Sequence, residues 1–391
     1  MNFTDNYYLL REQLYSGTDN IVSPSGTHVE WLPFSSGRSN TGEDYRYLKA
    51  MRQIVPGASM DEGVGENREF SYPVFIPAGT SVNDGCIIML HGLNERKWDK
   101  YLTWADYLAS KTGKSVILFP ISFHLNRSLP EWIDRHSMME RAEARKMRFS
   151  LNDSQTTFIN EALSDRLTEV PERFFLSGLQ TAGDIVQLLQ DIYDGKHPLF
   201  TRETHSDIFA YSIGGLLAQV LFLANPDDLL SDSKLFLFCA GSLFHEMNGV
   251  SKLIMDPVAY HKIYNYYLSD LEKQIRKSDV FSEYFNRNRI GMAFRSMIAP
   301  DRFRNFRNRI FRQKEEQIFA ISLKEDRVIP TPGISRALLG TSKRIPRNMI
   351  VTDFPFAHSH ENPFPVKQEA IRQFVDKAFE QVFTKAAVFL G

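Results

Sequence analysis

Ser212 is the residue of this chain whose surroundings best suit nucleophilic chemistry. It follows the apolar run of residues 208–211 and precedes a glycine-bearing apolar run of residues 213–218, which predicts a buried strand, a sharp turn and a helix. On such a turn a serine hydroxyl is exposed where the sheet ends and the helix begins. Small residues are needed two positions to either side, and here they are Ala210 and Gly214, so alanine replaces the first glycine of G-x-S-x-G. The pattern predicts a nucleophile, with a plain strand-to-helix turn as the alternative.

A serine nucleophile needs a base that takes its proton and an acid that orients this base. Asp326 lies a few residues past a predicted strand of residues 317–322, within the run E-D-R-V-I-P. Glu325 and Asp353 are its competitors, and each could be a turn residue without a catalytic role. The position of Asp326 relative to the strand end, and the run that follows it, favour Asp326 as the acid.

Two histidines, His358 and His360, lie in the loop after the last predicted strand, residues 348–352. They alternate along the chain, so an extended backbone would point only one of them inward. We prefer His360, which precedes Glu-Asn-Pro, and keep His358 as the alternative base. Serine, acid and histidine then follow one another in the chain order used by hydrolases with this turn.

Buried strands and crossover helices must position these residues. Residues 86–90 and 115–119 are continuous apolar runs, typical of strands that are covered on both faces, and a helical pattern over 98–110 connects them. Strand, helix and strand in this order predict a right-handed crossover in a parallel sheet. The predicted fold class is therefore α/β, with a mostly parallel twisted sheet and helices on both faces.

Long segments interrupt this alternation. We predict an N-terminal extension over residues 1–70 and one elaborated domain over 71–391, with helical cap insertions at about 121–175 and 245–315. An insertion at the carboxyl end of a strand lies over the edge where such sheets bind ligands. The insertions are therefore expected to determine specificity.

In this combination the chain resembles the α/β-hydrolase superfamily of the serine hydrolase type, from about Ser71 to the C-terminus. The motifs are His91-Gly92 after a core strand, A-Y-S-I-G-G at the turn, E-D-R-V-I-P after a late strand and a histidine after the last strand. The stretches HGLNE, FHLNR and HENPF suggest a little-characterised bacterial branch. The resemblance implies Ser212 as the nucleophile and the backbone N–H groups of Leu93 and Ile213 as the oxyanion hole.

Four other residues are candidates for contact with substrate. His124, Arg127 and Trp132 follow a core strand, and Arg127 could bind a carboxylate or phosphate bidentately. A salt-bridged loop arginine is the favoured alternative for Arg127. His91 could also face substrate, although a histidine that anchors its own loop is the favoured interpretation.

Composition argues against several classes of partner. A formal net charge of -1 gives no general attraction to nucleic acid or to anionic membranes. Residues 287–314 interleave arginines with aromatic residues, which could bind single-stranded nucleic acid, but the spacing of Phe303, Phe306 and Ile310 favours an amphipathic helix with a solvated arginine face. Metal-binding motifs and glycine-rich phosphate loops are absent from the sequence, so we expect neither a metal nor a cofactor.

The N-terminal residues lack the apolar core of a signal peptide, and no stretch reaches the roughly 20 apolar residues that span a bilayer. We therefore expect a cytoplasmic protein. Its expected activity is hydrolysis of a small-molecule carboxylic ester, or of an amide or lactone, through an acyl-enzyme. The alternative is a non-catalytic binding scaffold with the same fold.

Overall fold

The apolar runs form one nine-stranded sheet in the computed structural model, counted over the residues that it describes, 2–16, 21–37, 43–79, 83–151 and 155–391. The strands are β1 (Ile21–Val22), β2 (His28–Ser35), β3 (Glu69–Ile76), β4 (Asn83–Leu90), β5 (Ser115–Phe119), β6 (Phe200–Ser212), β7 (Leu235–Ala240), β8 (Ile318–Leu323) and β9 (Met349–Thr352).

The sheet order is β1-β2-β3-β5-β4-β6-β7-β8-β9. Strands β5, β4, β6, β7, β8 and β9 pair in parallel, whereas β1, β2 and β3 add an antiparallel edge. The predicted α/β class, with a mostly parallel sheet, is confirmed.

Helices cover both faces of this sheet. The helices of the described residues are α1 (Phe3–Tyr15), α2 (Glu43–Ile54), α3 (Gly65–Arg68), α4 (Asp99–Thr112), α5 (Arg135–Arg148), α6 (Glu161–Glu169), α7 (Arg173–Tyr193), α8 (Ile213–Ala224), α9 (Pro257–Asn265), α10 (Leu271–Lys277), α11 (Asp279–Arg287), α12 (Arg289–Ile298), α13 (Arg304–Gln313), α14 (Thr331–Leu339) and α15 (Arg372–Leu390).

Alternation along the central strands divides the core into two layers. In β4, Ile88 and Leu90 pack with helices α2, α7, α8 and α12, while Ile87 and Met89 pack on the opposite face with α1, α4 and α15. Both faces are apolar because both are covered, which is why these strands are continuous hydrophobic runs.

The long segments between strands are helical. Helices α5 and α6 lie between β5 and α7, and α9 to α13 lie between β7 and β8. Residues 152–154 of the first segment lie outside the described residues. The proposed division at residue 70 stays a prediction. Strands β1 and β2, from the N-terminal segment, join the same sheet as β3.

The arginine-rich segment differs from its prediction. Helix α13 begins only at Arg304, and its buried positions are Arg307 and Phe311. The guanidinium of Arg307 donates to the backbone carbonyls of Ser296 and Pro300. Arg304, Arg309 and Arg312 are exposed, as a solvated arginine face predicts, but Arg307 departs from the prediction because it is fully buried and caps the carbonyls at the end of α12.

The longest of the described helices is α7, with 21 residues. A search of the described helices for one with the length and hydrophobicity to cross a bilayer gave no candidate.

Candidate active site

Ser212 lies on a strained turn between β6 and α8. Its backbone angles are φ 56° and ψ −126°, a conformation that non-glycine residues rarely adopt. A Cβ atom at Gly214 would lie 2.7 Å from the carbonyl oxygen of Leu90 and 2.8 Å from that of His91. Glycine is thus required two residues after the serine, because α8 begins directly against the end of β4.

The side chains of Ser212, His360 and Asp326 form a continuous hydrogen-bonded chain. Ser212 Oγ lies 2.7 Å from His360 Nε2, and His360 Nδ1 lies 2.8 Å from Asp326 Oδ2. All three residues are buried. With Nδ1–H donating to the carboxylate, Nε2 is left to accept the serine proton.

Backbone groups fix the orientation of the Asp326 carboxylate. Its Oδ1 accepts the N–H groups of Val328 and Ile329, each at 2.9 Å. The other oxygen, Oδ2, faces His360. The carboxylate therefore cannot turn away from the imidazole without losing two hydrogen bonds.

The loop that carries His360 is held by residues on β6 and α4. The His360 ring stacks on the Tyr211 ring, with centroids 5.4 Å apart and an angle of 11° between the planes. The Tyr211 hydroxyl donates to the backbone carbonyl of His360, and Lys100 Nζ donates to that of Glu361 at 2.7 Å. The imidazole is thus positioned by contacts other than those with Asp326 and Ser212.

His358 forms a separate pair. Its Nε2 lies 2.7 Å from Oδ1 of Asp353, one of the competing acids. The histidine that reaches Ser212 is His360, so the two candidates bind different carboxylates.

The predicted oxyanion donors are Leu93, in the loop after β4, and Ile213, which follows Ser212. Ile213 is the first residue of α8, so its backbone N–H has no acceptor within the helix. A Cβ atom at Gly92 would lie 3.3 Å from Ser212 Cβ, and the Gly92 N–H already donates to the Tyr101 hydroxyl at 3.0 Å. The next N–H along this loop is that of Leu93, and its role as an oxyanion donor stays a prediction.

Both ring nitrogens of His91 are engaged by backbone groups. Its Nδ1 lies 2.8 Å from the Gly92 carbonyl, and its Nε2 accepts the N–H of Ile121 at 2.8 Å. Burial, with a smaller contribution from the nearby His124, lowers the pKa of His91 well below its usual value, so the ring is neutral. This agrees with the favoured interpretation that His91 anchors its own loop.

A largely apolar cavity adjoins the Ser212 turn, with Leu93 and Ile213 in its wall. His124 also lines it and is 6% exposed. Its Nδ1 lies 2.9 Å from the Ser122 carbonyl, while its Nε2 has no hydrogen-bond partner among the described residues. The remaining lining residues are mostly aliphatic and aromatic side chains from α6, α7, α8 and α12.

Arg127 does not face this cavity. It is fully buried, with Nη2 2.8 Å from Asp184 Oδ2 and further hydrogen bonds to Asn67 and to the Pro120 carbonyl. The predicted substrate contact is thus replaced by an internal ion pair, the favoured alternative. Trp132 is half-buried outside the cavity wall, and its ring contacts the guanidinium of Arg166 at 4.3 Å.

Sequence reasoning missed Tyr211, Phe123 and Arg166. Tyr211 was counted only as part of an apolar strand, although the residue before the serine must point to the opposite face of the sheet. Phe123 and Arg166 line the cavity. They come from the loop after β5 and from α6, and no pattern in the sequence indicates that these two segments meet.

Residues 250–255 connect the loops around Ser212. The Ser251 hydroxyl donates to the Glu361 carboxylate, and Asn94 Nδ2 donates to the Leu253 carbonyl at 2.7 Å. Asn160 Nδ2 binds the Ser251 carbonyl at 2.9 Å. The helical segments are thus tied to the loops of both His360 and Leu93, and Ser212 is only 4% exposed.

Solved structures that this chain matches include three esterases. A thermostable esterase from Pseudomonas putida ECU1011 is 12% identical, over 100% of this chain and 91% of that chain, with a TM-score of 0.44. An esterase from the archaeon Pyrobaculum calidifontis is 11% identical, over 98% and 90%, with a TM-score of 0.42. Carboxyl esterase 2 from the mycorrhizal fungus Tuber melanosporum is 11% identical, over 94% and 89%, with a TM-score of 0.41.

Among curated proteins, none matches this sequence. One family model, described as "Family of unknown function (DUF6051)", matches residues 1–391. Because this match spans the whole sequence, the chain belongs to the DUF6051 family.

Proposed function

We propose that this protein is a serine hydrolase that cleaves carboxylic esters through an acyl-enzyme. The observation that carries the proposal is the chain of contacts from Ser212 Oγ to His360 Nε2 at 2.7 Å and from His360 Nδ1 to Asp326 Oδ2 at 2.8 Å. These are the contacts that a serine, its base and the acid that orients the base require.

In the first half of the reaction, Ser212 Oγ attacks the ester carbonyl while His360 Nε2 takes its proton. Asp326 keeps the proton on Nδ1 and stabilises the imidazolium that forms. The tetrahedral oxyanion accepts hydrogen bonds from the backbone N–H groups of Leu93 and Ile213. The imidazolium then protonates the leaving alkoxide, and the acyl group stays on Ser212.

In the second half, water replaces the alcohol. His360 takes a proton from water, which attacks the acyl carbonyl, and returns the proton to Ser212 Oγ as the acid leaves. The same groups would act on a lactone, whose leaving alkoxide stays attached to the acyl chain. An amide needs the same steps with a poorer leaving group, so we propose esters as the main substrates.

Labelling by a fluorophosphonate probe tests the nucleophile. The wild-type protein should label, Ser212→Ala should not, and Ser359→Ala, a matched change at an exposed serine in the His360 loop, should label like the wild type. A panel of p-nitrophenyl esters of different chain lengths, with a lactone and a peptide, then tests the reaction. Failure of the folded wild-type protein to label would favour a non-catalytic binding scaffold.

A further inference from the structure

The cavity beside Ser212 is charged at one place only. Its wall contains Arg166 and Arg173 and, among the described residues, no carboxylate. Both arginines contact the buried Asp61, at 3.2 Å each, which lies outside the wall. The Asp61 carboxylate is thus shared by two guanidinium groups. The next question is which of the two arginines has N–H donors that remain free.

Arg173 has at most one N–H to spare for a ligand. Its Nε binds Asp61, its Nη1 binds Glu169 at 2.7 Å and the Arg166 carbonyl at 3.1 Å, and its Nη2 binds the Gly57 carbonyl at 2.9 Å. Every nitrogen of this guanidinium therefore has a partner. Arg173 serves the packing of the helical segment.

Arg166 differs in this respect. Within the described part of the chain, the polar partner of its guanidinium is Asp61, through Nη1. Its guanidinium carbon lies over the rings of Phe123 and Trp132, at 4.6 and 4.3 Å from the ring centroids. Neither ring carries a conventional hydrogen-bond acceptor, so these contacts hold the guanidinium in place while the N–H groups that do not bind Asp61 remain for a carboxylate. The Arg166 guanidinium has five N–H donors and one polar partner, so some of its N–H groups remain for a ligand.

The loop that presents Phe123 to Arg166 is strained and held from outside. Phe123 has a φ of 64°, which is costly for a residue with a side chain. Three successive N–H groups of this loop bind other segments: Ile121 to His91 Nε2 (2.8 Å), Ser122 to Thr181 Oγ1 (3.0 Å) and Phe123 to Asn67 Oδ1 (3.1 Å). A strained loop that is fixed in this way keeps the aromatic contact of Arg166 in place before a ligand arrives.

His124, the other titratable residue in the wall, does not provide a second cation. Burial lowers the pKa of His124 to about 4, so the ring is neutral at pH 7. Charge selectivity in this cavity therefore depends on Arg166.

We propose that the cavity takes esters in which an apolar spacer ends in a carboxylate, and that Arg166 binds this carboxylate. The apolar wall would hold the spacer, and this wall includes Ile213, the residue that follows Ser212. The proposal rests on the ester hydrolysis proposed above. The carboxylate belongs either to the acid part of the ester or to its alcohol part, and the experiment distinguishes the two.

Two pairs of substrates with matched chain lengths test the proposal. One pair is mono-p-nitrophenyl adipate and p-nitrophenyl hexanoate, with the carboxylate on the acid part. The other pair is 6-acetoxyhexanoate and hexyl acetate, with the carboxylate on the alcohol part. In one of these pairs kcat/KM should favour the anionic ester by about 10-fold or more, as expected for one charge-assisted hydrogen-bonded contact.

Arg166→Gln should lower this preference by about 10-fold, and Arg166→Lys, which keeps the charge but not the planar fork, by a smaller factor. Arg141→Gln is the matched control, because Arg141 is an exposed arginine that pairs with the exposed Asp165. It should leave the preference unchanged. The wild-type ratio tests the proposal without any variant, so a folding defect of Arg166→Gln would not hide the answer.

If both members of each pair are turned over with equal kcat/KM, the carboxylate proposal is overturned. The proposed ester hydrolysis would still stand. If the wild-type protein neither labels nor hydrolyses, the proposed function fails. Ligand binding then tests separately whether the cavity holds a carboxylate. Calorimetry with hexanoate and hexanol in Ser212→Ala should then give Arg166-dependent binding of hexanoate only. Equal binding, or no binding of hexanoate, would overturn the site.

Discussion

The histidines of two aspartate–histidine pairs lie two residues apart on the same loop, and only one of them contacts Ser212. The His360–Asp326 and His358–Asp353 contacts measure 2.8 and 2.7 Å, and both imidazoles are buried. They differ in the ring nitrogen that binds the carboxylate. His360 uses Nδ1, which leaves Nε2 for Ser212, whereas His358 uses Nε2. A short aspartate–histidine contact therefore does not by itself indicate a general base.

The second pair, His358–Asp353, instead connects two loops. Asp353 accepts the N–H groups of Glu325 and Phe354, each at 2.9 Å, besides the His358 ring. Glu325 is the neighbour of Asp326, so this pair joins the loop of the acid to the loop of the base. We infer that His360–Asp326 serves turnover and that His358–Asp353 holds the two loops in register.

The largest expected difference is between the two histidines. His360→Ala should lower kcat for a p-nitrophenyl ester by about 10⁴-fold or more, because it removes the imidazole whose Nε2 contacts Ser212 Oγ. His358→Ala should lower it by less than about 10-fold, through a looser loop. Each variant is checked by circular dichroism before its kinetics are measured. Loss of turnover only in His358→Ala would reverse the assignment of the base.

The two aspartates should separate activity from stability. Asp326→Asn removes the carboxylate that fixes the His360 tautomer, so kcat should fall by about 10⁴-fold. Asp353→Asn should leave kcat within about 10-fold and lower the free energy of unfolding by about 1–3 kcal/mol, because it weakens charge-assisted hydrogen bonds. Urea unfolding and ester kinetics on both variants measure the two effects. A kcat loss of similar size in both would refute the division of roles.

The stability effect of Asp353 should depend on pH. Burial alone would raise the pKa of Asp353, but hydrogen bonds from His358 and from the N–H groups of Phe354 and Glu325 outweigh it and lower the pKa below its usual value of 3.8. A carboxyl group with a lowered folded-state pKa stabilises the fold above its unfolded pKa, and this contribution is lost as pH falls through the folded value. The difference in the free energy of unfolding between wild type and Asp353→Asn, measured by urea unfolding, should thus shrink below about pH 4.

The sequence was informative where one rule applied locally. Apolar runs covered on both faces predicted the central strands, and the turn around Ser212 followed from Gly214 and a preceding strand. The choice between His358 and His360 depends on which ring nitrogen meets a carboxylate, and this is decided by a loop that contacts Tyr211 and Lys100. Such long-range contacts leave no periodic pattern in the sequence.

The arginines of the first helical segment illustrate the same limit. Arg127, next to a strand end, was a candidate anion contact, with a salt-bridged arginine as the favoured alternative, and it pairs with Asp184 inside the fold. Arg166, on α6, lines the cavity instead. Proximity to a strand end along the chain predicts the edge of the sheet on which a residue lies. It does not predict whether the side chain turns inward, since this depends on a carboxylate 57 residues away.

The smallest expected effect concerns Tyr211, which positions His360 without touching Ser212's hydroxyl. Tyr211→Phe keeps the ring stacked on the imidazole but removes the hydrogen bond to the His360 carbonyl. Kcat should fall by about 3- to 10-fold, as expected from the loss of one neutral hydrogen bond. Tyr260→Phe is the matched control, because it also removes a hydroxyl that donates to a backbone carbonyl, that of Met247, away from the His360 loop. If both variants turn over like the wild type, the stacked ring, the Lys100 contact and the Asp353–His358 pair together suffice to hold the base.

The Asp353–His358 pair would then matter more to turnover than its distance from Ser212 suggests. In that case the double variant Tyr211→Phe with His358→Ala should lose more activity than the two single effects combined.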